Sequence, residues 1–134
     1  MILEVAILNV KSEFQDNFQK DFIHASKYIS SINGYKGHTL RKCIETKNKY
    51  ILLVDWENLE NHEVDFRKSD AYLKWKELLH NYYNPFPKVE HYETVFENKV
   101  SNESNKKKFT RKQVVIFGLQ KRSRNQLRTI IIKS

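Results

Sequence analysis

The chain has 134 residues, of which 40% are hydrophobic and 13% aromatic, enough for one domain with a core and at most an appendage. Its formal net charge of +8 belongs to one end, because residues 1–97 carry 13 Lys and Arg against 15 Asp and Glu, whereas residues 98–134 carry 11 against 1. The single cysteine excludes an intramolecular disulfide, and no apolar run approaches the ~18 residues of a membrane span. Because a signal-peptide pattern is also missing, we expect a cytoplasmic protein with no membrane partner.

The first part of the chain predicts a strand, a helix and a hairpin. Residues 2–10 are apolar at nearly every position and predict a strand. Ser12 to Gln15 has the pattern of a capping box, which predicts a helix over roughly residues 13–31 that ends at Asn33-Gly34. Residues 35–45 and 50–57 predict the second and third strands, joined by the polar residues 46–49.

A broken helical region follows and leads into a fourth strand. Leu59, His62 and Phe66 share one face of a short helix, and Ser69 is placed to cap a second helix. Pro85 and Pro87 end this second helix, and residues 89–96 alternate as a strand does. The order β-α-β-β-α-β predicts an α+β protein of the ferredoxin-like type with an antiparallel sheet.

The third strand also predicts a partner. In this fold the helices cover one face of the sheet, yet residues 50–54 (YILLV) are apolar on both faces. Leaving large aliphatic side chains in water forfeits ~1.5–3 kcal/mol each. A second copy of the same sheet is the simplest cover, so we expect a homodimer.

The C-terminal extension, residues 98–134, has a different composition. Residues 98–108 (NKVSNESNKKK) are polar and of low complexity, which predicts a basic, poorly ordered extension after a domain of residues 1–97. Clusters of Lys and Arg can also bind nucleic acid, although this extension has only two aromatic residues for base stacking. A third interpretation is an added segment with no selected role.

Residues 50–92 contain the side chains best suited to ligand binding or catalysis. This span contains both tryptophans, both prolines and three of the five histidines. Aromatic rings with an interspersed arginine and histidines on adjacent helices are typical of a pocket for a small molecule. A metal centre is not expected, because the histidines lack the spacing of a zinc motif.

A combination of motifs in this span resembles the antibiotic biosynthesis monooxygenase family of dimeric α/β-barrel proteins. The matching positions are Gly34-Tyr-Lys-Gly-His38, Asp55-Trp56-Glu57, His62, Phe66-Arg67, Ser69, Tyr72, Trp75, Leu79-His80, Tyr83, Pro85, Pro87 and Val89-Glu90-His91-Tyr92. The resemblance covers residues 1–97 and implies a ferredoxin-like protomer whose sheet pairs with that of a partner into a dimeric α/β barrel. It also implies oxidation of an electron-rich aromatic or quinol-like small molecule by dioxygen without metal, flavin or haem. Lys76 stands where haem-degrading members of the superfamily place a histidine, which argues against haem.

The resemblance and the helical phase suggest roles for seven residues. His62 or His80, expected to have a pKa near neutrality, is a candidate to remove the substrate proton, and Arg67 to hold the resulting anion. Four aromatic residues are candidates to contact the substrate ring: Phe66, Tyr72, Trp75 and Tyr83.

Each assignment has a structural alternative. Tyr72 and Trp75 lie at the spacing of core residues, and His62 is equally consistent with packing. His80 is placed to cap the end of its helix, and Arg67 to pair with Asp70. For His91, a structural role or a place in the dimer barrel is favoured over catalysis. The functional alternatives are a ligand-binding or stress-response dimer without catalysis and a nucleic-acid binder that acts through the basic extension.

Overall fold

The structure, a computed structural model, describes residues 1–100 and two short strands further along the chain. Its elements are β1 (Ile2–Asn9), α1 (Gln15–Ile29), β2 (Tyr35–Lys42), β3 (Lys49–Trp56), a π-helix (Asn61–Phe66), α2 (Asp70–Leu79), β4 (Val89–Glu93), β5 (Arg122–Ser123) and β6 (Gln126–Leu127). The chain divides into two compact units, Met1–Val95 and Phe96–Ser134. The basic extension predicted for residues 98–134 lies outside the described residues except for 98–100 and the β5–β6 pair.

The first unit contains a four-stranded antiparallel sheet in the order β2-β3-β1-β4. Both crossovers contain helix, α1 between β1 and β2, and the π-helix with α2 between β3 and β4. This is the split βαβ arrangement, so the predicted ferredoxin-like α+β fold is confirmed. No helix in residues 1–100 is both long enough and apolar enough to cross a membrane.

The two faces of the sheet differ in what covers them. Glu4, Ala6 and Leu8 alternate along β1 as buried residues on the face under the helices. The residues between them lie on the opposite face, where the strand register sets them beside the odd-numbered residues of β3. This open face therefore carries an apolar strip made of Leu3, Val5, Ile7, Ile51 and Leu53.

The start of α1 differs from the capping-box prediction. Ser12–Phe14 forms a 3₁₀ turn, and the helix begins at Gln15 with Phe14 as its cap residue and without a side-chain cap hydrogen bond. The apolar face of the helix still lies where the periodicity places it, since Phe18, Phe22 and Ile29 are buried. The capping-box prediction was wrong because the tighter turn displaces Ser12 from the cap position.

The first of the two helices predicted between β3 and β4 is a π-helix. The backbone N–H of Arg67 bonds to the carbonyl of His62, five residues back, at 3.1 Å. His62 and Phe66 are buried as predicted, whereas Leu59, which precedes the π-helix, is 40% exposed. Ser69 caps α2 as predicted, because its Oγ accepts a hydrogen bond from the N–H of Tyr72 at 3.1 Å.

Gly34 makes a close approach to the π-helix. Its φ is +86°, and a Cβ at this position would lie 2.1 Å from Cγ of Asn61. Glycine is therefore required by sterics as well as by the left-handed backbone. β4 stops at Glu93, and the predicted continuation to residue 96 is wrong because Glu93 already pairs with Ile2, the first residue of β1, so the sheet offers no further partner.

Candidate active site

A cavity of about 260 Å³ lies between the sheet and the helical layer. Its floor is formed by the buried residues Ala6 and Leu8 of β1 and Leu52 of β3, and Val89 of β4 lies at one side. The structure brings all seven of the predicted site residues to this one cavity: His62, Phe66, Arg67, Tyr72, Trp75, His80 and Tyr83. They come from the π-helix, from α2 and from the turn that follows α2.

Aromatic rings in edge-to-face contact form the inner wall. The Phe66 ring lies 5.1 Å from Tyr72 at 86° and 5.8 Å from Trp75 at 79°, measured between ring centroids. Phe66 and Trp75 are both buried and belong to the hydrophobic core. They therefore line the cavity and pack the core at once, and for Trp75 this is the core position that the structural alternative gave.

The outer wall is formed by the region after α2. His80 is the C-cap residue of α2, as the structural alternative had it, and its ring also lies 4.9 Å from that of Phe86 at 78°. Phe86 lines the cavity and is 64% exposed, so it stands at the mouth. Burial lowers the pKa of His80, and the positive charges of Lys76 and Arg67 lower it further.

A buried polar group that was not among the predicted site residues lies at the cavity floor. Glu4 is 4% exposed and lines the cavity, and Nε1–H of Trp56 donates to its Oε1 at 2.9 Å. Nε2 of His62 lies 3.4 Å from the same oxygen, and Nδ1 of His62 lies 2.7 Å from Nε2 of His91. An array of the buried residues Trp56, Glu4 and His62 and the half-buried His91 thus connects β3, β1 and the π-helix to β4.

The position of Glu4 in the sequence contained a usable indication. Glu4 is the only charged residue in the otherwise apolar span of residues 2–10, and it has the parity of Ala6 and Leu8, which the strand must bury. An acid at a core-facing position is expected to have a partner. The identity of its partners could not be predicted, because they lie 52 and 58 residues further along the chain.

Burial sets the protonation states in this array. It raises the pKa of Glu4 from 4.5 to about 7, although the Trp56 hydrogen bond and the Arg67 charge oppose the rise. Burial lowers the pKa of His62 from 6.5 to about 3, with Arg67 and His91 acting in the same direction. The expectation of a near-neutral pKa for His62 was therefore wrong, and around neutral pH its 3.4 Å contact with Glu4 is that of a neutral imidazole and not an ion pair.

Arg67 supplies positive charge at the edge of the cavity. It directly follows the π-helix, lines the cavity and has an exposed side chain overall. Residues 1–100 contain no ion pair between Arg67 and Asp70, the partner that the structural alternative assigned to it. Its guanidinium group is thus available to an anionic guest.

A hydrogen-bonded cluster around His38 lies outside the cavity. Nδ1 of His38 lies 2.5 Å from the hydroxyl of Tyr35, and Nε2 lies 3.0 Å from Oγ of Ser26, which in turn donates to the carbonyl of Phe22. Each polar group in this cluster has a partner, as expected for a structural link between α1 and β2. In the part of the chain that the structure describes, no three or more His, Cys, Asp or Glu side chains are grouped as a metal site would need.

Comparison with known proteins gives consistent matches. The family model for antibiotic biosynthesis monooxygenase matches residues 1–78. The uncharacterised protein YczJ of Bacillus subtilis is 46% identical over 95 residues, which are 71% of this chain and all of that protein. The crystal structure of a candidate antibiotic biosynthesis monooxygenase from Bordetella bronchiseptica is 32% identical with a TM-score of 0.68, and the match covers 71% of this chain and 97% of that one.

A more distant structure has the same fold. SnoaB of Streptomyces nogalater, a cofactor-independent oxygenase, matches in a mutant form with a TM-score of 0.63 at 14% identity. The match covers 72% of this chain and 94% of that one.

Proposed function

The chain belongs to the antibiotic biosynthesis monooxygenase family, and from that premise we propose that it oxidises an electron-rich aromatic or quinol-like small molecule with dioxygen. The reaction needs no metal, flavin or haem, because the ionised substrate itself supplies the electrons. For an anthrone, the ring methylene becomes a carbonyl, one atom of O₂ enters the product, and the other leaves as water. The enzyme acts as a monooxygenase.

The observation that carries the proposal is the convergence of the seven predicted side chains on one cavity. Its volume of about 260 Å³ lies just below the range for small-molecule sites, roughly 300–1,000 Å³, so it suits a guest of a few rings at most. The edge-to-face wall of Phe66, Tyr72 and Trp75 offers ring surfaces for stacking. Tyr83 is buried at the same cavity and completes the aromatic lining.

The polar residues of the cavity have different roles in the proposed reaction. A phenol or enol reacts with O₂ once it has lost a proton, so the site must accept that proton and stabilise the anion that remains. Arg67 is the candidate for the anion, since it is a permanent cation at the cavity edge. His80 lines the cavity as a neutral imidazole and can donate a hydrogen bond to a substrate oxygen or accept one from a substrate hydroxyl, whereas both ring nitrogens of His62 already contact Glu4 and His91.

The open face of the sheet supports a homodimer as the working form. Its strip of five aliphatic residues is continuous across β1 and β3, and Ile7 within it is 37% exposed. Burying such a strip is favourable by roughly 25 cal/mol per Å² of apolar surface. A second copy of the same face supplies a cover of matching character and closes the two sheets into the dimeric barrel.

Oxygen consumption tests the proposal. The protein, treated with a chelator, is mixed with hydroquinones and anthrones, and uptake of O₂ is followed with an electrode. We expect turnover by the wild type and a loss of about 10²–10³-fold in Arg67→Ala, the size seen when one stabilising group for an oxyanion is removed. Lys74→Ala is the matched control, because Lys74 is an exposed cation on α2 that does not line the cavity.

The control variant Lys74→Ala should keep the wild-type rate of O₂ consumption, and His62→Ala should lower that rate. Tight binding of these aromatics with no O₂ consumption for any of them would reject the oxygenase and favour a protein that only binds its ligand. Binding to DNA that weakens steeply with salt and is lost on removal of residues 98–134 would favour the third function instead.

A further inference from the structure

We propose that Glu4 is the group that takes the proton from the substrate, and that His62 and His91 connect it to the half-exposed fourth strand as a proton path. The inference rests on the proposed function and assigns a catalytic residue on β1, outside the helical region that carries the predicted site. Glu4 faces the cavity and therefore the substrate. His62 and His91 act through Glu4 and are positioning residues.

The geometry of the sheet brings the two ends of the path together. Glu4 on β1 and His91 on β4 are directly paired in the antiparallel register, so their side chains lie on the same face. The π-helix places His62 over this pair, with Nε2 3.4 Å from Oε1 of Glu4 and Nδ1 2.7 Å from Nε2 of His91. Both ring nitrogens of His62 are thereby used, and the ring is held in a stack on Trp56 with 5.5 Å between centroids.

The carboxylate is fixed by one oxygen and leaves the other for the substrate. The contacts of Glu4 with Trp56 and His62 both involve Oε1. In the described part of the chain, Oε2 of Glu4 is not among the fully buried side-chain atoms that lack a hydrogen-bond partner. Oε2 is therefore not enclosed by apolar groups. Because Glu4 lines the cavity, Oε2 is the oxygen that can meet a substrate hydroxyl.

The array can also pass the proton on. The substrate proton arrives on Oε2, and rotation of the carboxyl group brings the O–H to the side of His62, where shortening of the 3.4 Å contact lets it donate to Nε2. Nδ1–H of His62 donates in turn to Nε2 of His91. A shift of one proton along each of these two contacts leaves Glu4 ionised and releases one proton from Nδ1 of His91, and exchange of the ring tautomers restores the starting arrangement. His91 is half-buried and does not line the cavity, so the path leads away from the substrate.

The charges around the carboxyl group suit this role. Burial is the largest influence and raises the pKa of Glu4 to about 7, which is close to the operating pH that general-base catalysis prefers. His62, with a pKa lowered to about 3, is a poor final acceptor of the proton but can transmit it. The titratable or charged groups that face Glu4 across the array and the cavity are His62 and Arg67 at the π-helix, Tyr72 of α2, His91 of β4, and His80 and Tyr83 after α2.

The test uses a phenol that cannot be oxidised, so that it does not depend on turnover. 4-Nitrophenol absorbs visible light only as the phenolate, and its ionisation when bound is measured anaerobically between pH 5 and 9. In Glu4→Gln we expect the pH of half-ionisation of the bound probe to rise by at least about one unit, a tenfold loss of its acidity, while the probe still binds. Glu4→Asp, which keeps a carboxyl group, should restore part of the ionisation.

Two further variants complete the experiment. Glu63→Gln removes an exposed acid beside His62 and should match the wild type. His91→Gln keeps a side-chain oxygen that can accept the hydrogen bond from Nδ1–H of His62 but cannot relay a proton, so the midpoint should stay unchanged while phenolate appears roughly tenfold or more slowly after a pH jump.

The outcomes separate this inference from the oxygenase proposal. Wild-type ionisation of the probe in Glu4→Gln would overturn the role of Glu4, and a wild-type rate in His91→Gln would overturn the path, whatever the oxygen uptake shows. Ionisation that depends on Glu4, together with no O₂ consumption for any substrate, would support the proton acceptor and reject the oxygenase.

Discussion

Replacing Glu4 by Gln should change how the stability of the protein depends on pH. Gln has the shape of Glu and keeps an oxygen to accept the Trp56 hydrogen bond, but it cannot ionise. In the wild type, folding raises the pKa of Glu4 from 4.5 to about 7 because the side chain is buried. The folded state therefore holds a proton between these two pH values that the unfolded chain has released.

The sign and size of the effect follow from this difference. A raised pKa contributes stability that is fully present below pH 4.5 and is lost as the pH rises through about 7. At ~1.4 kcal/mol per unit, the loss amounts to about 3 kcal/mol between pH 4 and pH 8. His62 acts in the opposite direction, because its lowered pKa costs stability as the pH falls below 6.5, but it is present in both proteins and largely cancels in the difference.

Urea unfolding at several pH values measures the effect. The free energy of unfolding of the wild type and of Glu4→Gln is determined from pH 5 to pH 8.5 at one fixed protein concentration, since a dimer makes stability depend on concentration. We expect the free energy of unfolding of Glu4→Gln to increase relative to that of the wild type as the pH rises. Glu63→Gln should show no such increase. A difference that stays constant within about 1 kcal/mol across this range would refute the reasoning that burial governs Glu4.

Three further predictions concern the fold and the assembly. Gly34→Ala should lower the free energy of unfolding by about 1–3 kcal/mol or more, because φ is +86° and the new Cβ meets Asn61; a fully stable variant in thermal unfolding would contradict this. Ser69→Ala should cost ~1 kcal/mol through loss of the cap on Tyr72, measured by urea unfolding, and no loss would show that the cap is not stabilising. Leu53→Lys places a charge in the middle of the open sheet face and should give a folded monomer in sedimentation analysis, whereas an unchanged dimer would place the interface elsewhere.

The fold was predictable because its elements have strong and different periodicities. Phe18, Phe22 and Ile29 recur at helical spacing in α1, residues 50–54 form an apolar run, and residues 2–10 are apolar at most positions. The details that failed are those set by local geometry. The spacing of His62 and Phe66 fits an α-helix and a π-helix equally well, so the wider turn could not be recognised.

The aromatic lining of the candidate cavity was predictable, but Glu4 and the electrostatics were not. Phe66, Tyr72 and Trp75 come together because the helical phase that buries a residue also points it at the cavity. The protonation of His62 depends on Glu4 and His91, which are distant in the sequence and meet only when the sheet forms. A near-neutral pKa was the natural expectation for an isolated histidine, and burial overturned it.

The central claim is that an aromatic substrate occupies the cavity under the π-helix. The most direct measurement is an experimental structure of the protein with an anthrone bound under anaerobic conditions. The ring system should lie against Phe66, Tyr72 and Trp75, with its oxygen toward Arg67 or Glu4. An empty cavity with the anthrone bound at another surface, in a protein that still consumes O₂ with it, would contradict the assignment of this cavity as the active site.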